Sequence, residues 1–100
     1  MNYYLNLPKN IDSLVARLSA KATAGSHTTI AAKFTALRPT TWYNLPYQLN
    51  KIMAIVKEYQ IVLTSTDLQN LITSIGTIFW FEYLKKVNQL VEVVELIESI

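Results

Sequence analysis

The chain has no cysteine, a single histidine, two glycines and three prolines in 100 residues, and only 16% of it is charged. Without cysteine there are no disulfides, no thiolate nucleophile and no cysteine-ligated metal. Such a chain suits a reducing compartment, and the expected location is cytoplasmic. One histidine, His27, leaves nothing to build a nucleophile–base–orienter array around, and a zinc site would need His27 with carboxylates alone. With no glycine-rich phosphate loop either, the sequence predicts no enzyme, no catalytic residue, no metal ligand and no cofactor. The Met1–Pro8 segment lacks the basic start and apolar core of a secretory signal. The apolar run Leu68–Phe81 falls short of the about 20 residues that span a bilayer.

What is present is apolar: 51% of the residues are hydrophobic. Soluble domains carry charge on about a quarter of their residues, so this surface asks for cover. One hundred residues make one domain. The pattern predicts an all-α fold, a small bundle of four or five helices with a long C-terminal helix, as a single domain over 1–100. Residues 1–9 read as an N-terminal arm, 10–45 as a basic region of short helices, and 46–100 as two longer helices.

Local signals set these bounds. Asn10 is a candidate N-cap with Asp12 in the first turn, and Ile11, Leu14, Val15 and Leu18 follow at helical spacing. Gly25 is placed to end that helix in a left-handed conformation. A second helix is expected over Thr29–Leu37, and Thr40–Leu45 reads as a short helix or an aromatic loop. Pro46 suits the first turn of the next helix, which continues through Tyr47 towards Leu63. Gln60–Thr64 is open between helix end and strand. Thr66 with Gln69 fits a capping box.

Charge is divided along the chain. Residues 1–51 hold Lys9, Arg17, Lys21, Lys33, Arg38 and Lys51 against Asp12 alone. Residues 52–100 hold Glu58, Asp67, Glu82, Glu92, Glu95 and Glu98 against Lys57, Lys85 and Lys86. This polarity can steer the basic half to an anionic partner or join the two halves. Glu92, Glu95 and Glu98 recur near the end of the last helix, where the dipole disfavours them. They call for a basic neighbour, with Arg17, Lys21, Lys33 and Arg38 as candidates.

The final stretch has the strongest periodicity. Its stripe is too wide for one set of neighbours and predicts a homodimer, with an interface of Leu84, Val87, Leu90, Val91, Val94 and Ile97. The aromatic run Phe79, Trp80, Phe81 and Tyr83 cannot all face one side of a helix and reads as core plus interface.

Thr29–Leu45 resembles a helix-turn-helix. Ala32 fits the small position of the first helix, Leu37 and Trp42 fit apolar positions, and Pro39-Thr40-Thr41 looks like the start of a recognition helix. That resemblance implies Thr40, Thr41, Tyr43 and Asn44 against base edges, with Lys33 and Arg38 near phosphate. The segment departs from the pattern at Ala36, where glycine is usual, and at Pro46, which would cut the recognition helix short. Trp42, Tyr43 and Tyr47 beside Arg38 and Lys51 can also stack on bases, although core packing is expected for Trp42.

Three functions are therefore open. The first is a non-enzymatic helical interaction module acting through self-association and partner binding. The second is a dimeric, helix-turn-helix-like DNA-binding protein. The third is a membrane-surface accessory or immunity-type protein.

Overall fold

Helix periodicity and capping resolve into five α-helices among the residues described, which are 6–75 and 83–100 of a computed structural model. They are α1 (Leu7–Ala24), α2 (Thr28–Thr35), α3 (Leu45–Leu63), α4 (Thr66–Ile75) and α5 (Tyr83–Ser99). No described residue lies in a strand. The Cα radius of gyration is 12.7 Å, close to the about 13 Å of a single 100-residue domain.

Helix α1 begins three residues before the expected cap. Pro8 sits in its first turn, where a missing N–H costs nothing, and Asn6 takes the N-cap place without a side-chain cap bond. Asp12 therefore falls one turn further in and is available to a distant partner. At the other end, Gly25 is not left-handed (φ −88°); Ser26 takes the positive φ of 66° instead. The amides of Gly25, Ser26 and His27 still close the helix on the carbonyls of Lys21, Thr23 and Ala22.

Helix α2 is shorter than expected. Its end at Thr35 agrees with the aversion of a residue before proline to helical geometry, and the Arg38–Pro39 peptide is cis. Ser19 on α1 donates to the Ala31 carbonyl (3.1 Å) and lies 2.7 Å from Thr35 Oγ1. Small polar side chains thus line the α1–α2 seam and let the two backbones approach closely. Helix α3 starts with Leu45-Pro46 and runs through Leu63, so Gln60–Leu63 is helical. It ends on a left-handed Thr64 (φ 53°). Ser65, rather than the expected Thr66, caps α4: its Oγ accepts from the Leu68 amide at 3.3 Å.

The core joins Leu7, Ile11, Val15 and Leu18 of α1, Phe34 of α2, Leu49, Ile52 and Val56 of α3, Leu68 and Ile72 of α4, and the α5 stripe. Helix α5 packs on α1, α3 and α4 of its own chain. This corrects the expected dimer interface: Val87, Leu90, Val94 and Ile97 are fully buried within one chain, and Val91 packs partly buried against the same core. The stripe is wide because three helices cover it. The side chain of Leu84 lies outside the described residues, as do Gly76, Glu82 and the side chains of Phe79, Trp80, Phe81 and Tyr83.

The acidic edge of α5 finds its basic neighbour in the same chain. Arg17 Nε donates to Glu98 Oε2 at 3.0 Å, and its Nη2 donates to Glu98 Oε1. The hydrogen bond from Arg17, with the added fields of Arg17 and Lys21, holds the Glu98 carboxyl below its usual range. The same bond raises the Arg17 guanidinium.

Candidate partner-binding surface

The connection between α2 and α3 gathers most of the residues singled out for nucleic-acid contact, but not as a recognition helix. Residues 36–44 form turns and irregular chain, and helix resumes only at Leu45. The reason is local. Asn44 Oδ1 accepts from the Thr41 amide at 2.7 Å, and Asn44 Nδ2 reaches the Pro39 carbonyl at 3.4 Å. Asn44 thereby folds the Pro39–Asn44 segment back on itself, an arrangement its short amide favours.

The two basic residues expected near phosphate are also engaged elsewhere. Lys33 Nζ donates to Glu58 Oε1 at 2.6 Å, linking α2 to α3. Arg38 makes a two-pronged pair with Asp12, Nε to Oδ1 at 2.9 Å and Nη2 to Oδ2 at 3.0 Å. That hydrogen-bonded pair raises the Arg38 guanidinium. Of the four residues assigned to base edges, Thr40 is buried and Asn44 is spent on the turn; Thr41 is half-buried and only Tyr43 is open. The helix-turn-helix expectation is corrected accordingly.

What the segment does display is aromatic. Tyr43 is 89% exposed, Tyr47 61% and Trp42 51%. Trp42 is thus a surface residue, against the expectation of core packing. Lys51 Nζ lies 5.2 Å from the centroid of the Tyr47 ring, a cation–π arrangement one helical turn along α3.

This surface is held firmly from beneath. Gln48, buried in the first turns of α3, donates from Nε2 to the Leu37 carbonyl. Arg38 ties the same segment to α1 through Asp12. Gln48 carried no signal in the sequence, and Asp12 stood out only as a first-turn acid; the partners of both lie far along the chain.

Between the start of α1 and the Pro39–Asn44 turn lies an open cleft of about 450 Å³. Pro8, Lys9, Asp12, Thr40, Thr41 and Trp42 line it. The Oγ1 atoms of Thr40 and Thr41 are shielded from solvent and have no hydrogen-bond partner. An unpaired buried hydroxyl costs about 1–3 kcal/mol, so two side by side are a concentrated defect.

A smaller cleft of about 280 Å³ is lined by Lys21, Gly25, His27, Tyr59, Leu63 and Ile100. There His27 meets the Tyr59 ring edge-on at 5.5 Å. Burial raises the Tyr59 phenol. Among the described residues, no three histidine or acidic side chains are grouped to hold a metal ion, and no helix is long and apolar enough to cross a membrane.

No protein-family model, no curated protein and no solved structure matches this chain.

Proposed function

We propose that this protein is a non-enzymatic interaction module that presents Trp42, Tyr43 and Tyr47 to an acidic segment of a partner protein. The observation that carries the reading is the exposure of all three aromatics within six positions of one braced connection. Tryptophan and tyrosine are the residues most often found at the energetic centres of protein interfaces. Bracing by Gln48, Asn44 and Arg38 lowers the ordering cost of binding.

Charge selects the kind of partner. Lys9 borders the cleft beside Trp42, and Lys51 lies over Tyr47. Neither is in an ion pair with a described carboxylate, whereas Arg17, Lys33 and Arg38 all are. Two available cations beside an aromatic patch suit an acidic peptide better than a nucleic-acid backbone, which is bound by neutralising many phosphates. The self-association expected through α5 is not part of this proposal, because its stripe is covered within the chain.

A displayed random-peptide library panned on the intact protein tests the reading. Acidic peptides should be enriched, and their affinity should fall at least tenfold in Tyr43→Ala and in Tyr47→Ala. Enrichment of neutral or basic peptides, indifference to both variants, or tighter binding of a single-stranded oligothymidylate at the same surface would overturn it.

A further inference from the structure

The smaller cleft, at the far end of α3, brings three polar side chains to one apolar hollow. Tyr59 is only 1% exposed, and its ring packs against His27 at 5.5 Å and Phe34 at 6.2 Å. Its hydroxyl bonds no described residue, yet it is not among the unpaired atoms shielded from solvent. The hydroxyl therefore keeps an opening, and the cleft that Tyr59 lines is where it opens.

His27 owes its place to a glycine. Gly25 ends α1 at φ −88°, a conformation that other residues also adopt. What it supplies is space: a Cβ there would lie 3.1 Å from His27 Cδ2 and 3.4 Å from Nε2. The bare Cα lets the imidazole close over the end of α1 and meet Tyr59. Neither ring nitrogen bonds a described residue.

Lys21, half-buried in the last turn of α1, supplies the charge. It makes no ion pair with a described carboxylate. The field of Lys21 reaches Glu98, but both oxygens of that carboxylate are taken by Arg17. The carbonyls of Lys21, Ala22 and Thr23, which form the negative pole of α1, each already accept an amide.

We infer that this cleft binds a small monocarboxylate with an apolar body, its carboxylate on Lys21 and Tyr59 and its body against Leu63 and Ile100. This site goes beyond the partner-binding reading. Tyr47 and Tyr59 are twelve residues apart on α3, about 18 Å along its axis. A carboxylate accepts from an ammonium, a phenol and an imidazole N–H together. Burial raises the Tyr59 phenol, which keeps it a neutral donor. Water can bond the same groups but leaves the faces of Leu63 and Ile100 wetted. Phosphate brings more charge than one ammonium matches and has no apolar body. The cleft holds about 280 Å³, against the about 150 Å³ that admits a benzene ring.

The test is an amide-resolved NMR titration of the whole chain with benzoate, benzamide and inorganic phosphate in parallel. Benzoate should give saturable shifts at Lys21, Gly25, His27, Tyr59 and Leu63, and bind about tenfold tighter than benzamide or better. Lys21→Gln, a surface change that leaves the core intact, should weaken benzoate about tenfold and leave benzamide unaffected. Tyr59→Phe keeps the ring in the core and removes only the hydroxyl. It should weaken benzoate severalfold without lowering the thermal midpoint, because that hydroxyl bonds no described residue. Gly25→Ala should weaken both aromatic probes alike, since the added methyl displaces the His27 ring.

Equal binding of benzamide, tighter binding of phosphate, a titration without saturation, or shifts confined to residues 42–47 would each overturn the site. So would a Tyr59→Phe variant that loses stability while binding benzoate as before, which would make the phenol structural. Tyr43→Ala should bind benzoate as wild type does, so this site and the aromatic surface stand or fall separately.

Discussion

Val87, Leu90, Val94 and Ile97 on α5, and Trp42, Tyr43 and Tyr47 beside the start of α3, are two apolar sets with opposite fates. The first is sealed beneath α1, α3 and α4; the second stands in solvent. The α5 set repeats at helical spacing, so its members fall on one face and neighbouring helices can bury them together. The aromatic set crosses a turn and a helix start, so it shares no such face. An apolar stripe is cheaply satisfied from within, whereas an apolar cluster at a helix junction is left for something outside. Periodicity thus separates residues used for stability from residues free for binding.

The sharpest way to break this comparison is to truncate one member of each set. Leu90→Ala should destabilise the protein by about 2–5 kcal/mol, the cost of an unfilled core position. Tyr43→Ala should move stability by no more than about 0.5 kcal/mol, as for other exposed sites. Urea denaturation of both variants gives the answer, and a comparable loss in each would erase the distinction.

A smaller effect probes the bracing under the aromatics. Gln48→Leu keeps the bulk but strands the Leu37 carbonyl, at a cost of about 1 kcal/mol. Hydrogen exchange should rise selectively over residues 36–44, while α5 amides keep their protection. Uniform loosening would mean that the connection and the core form one cooperative unit.

The smallest effect concerns the latch between α1 and α5. Arg17 and Glu98 are both partly exposed, so their pair contributes about 0.2–1 kcal/mol. Glu98 is held below its ordinary value of 4.5. Its contribution is therefore complete above that value and lost as pH falls through the lowered native one. Glu98→Gln should flatten the pH dependence of stability between about pH 5 and 3 and leave Tyr43 exposure unchanged. An unaltered acid limb would remove the latch from the account.

The helical fold was legible because Ile11, Leu14, Val15 and Leu18, and the α5 stripe after them, repeat at the spacing of a helix. The need of the α5 acidic edge for a basic neighbour could likewise be read from dipole and charge, and Arg17 meets it at Glu98. What covers the α5 stripe could not be read. Periodicity reports that a face is apolar but not which helices pack on it, so it could not show that Val87, Leu90, Val94 and Ile97 are buried against α1, α3 and α4.

The proposed binding surface was legible only in part. Trp42, Tyr43 and Tyr47 stood out by type, but their exposure depends on the turn that Asn44 closes and the brace that Gln48 supplies. The resemblance to a helix-turn-helix failed at the same point, since the Asn44 amide and the Leu45-Pro46 helix start outcompete a helix beginning at Pro39. The cleft left no linear trace, because Lys9 and Thr40 meet only when α1 and the α2–α3 connection come together.

The docking of α5 against α1 also bears on how the protein is made. A ribosome delivers α1 and α2 first, and these can pair at once along the Ser19–Ala31 seam. The part of α1 that packs on α5 then stays uncovered until translation has supplied that helix, a wait that favours holding by a chaperone or by the exit tunnel. Moving α5 by circular permutation to precede α1 would shorten that interval and should raise the yield of folded protein.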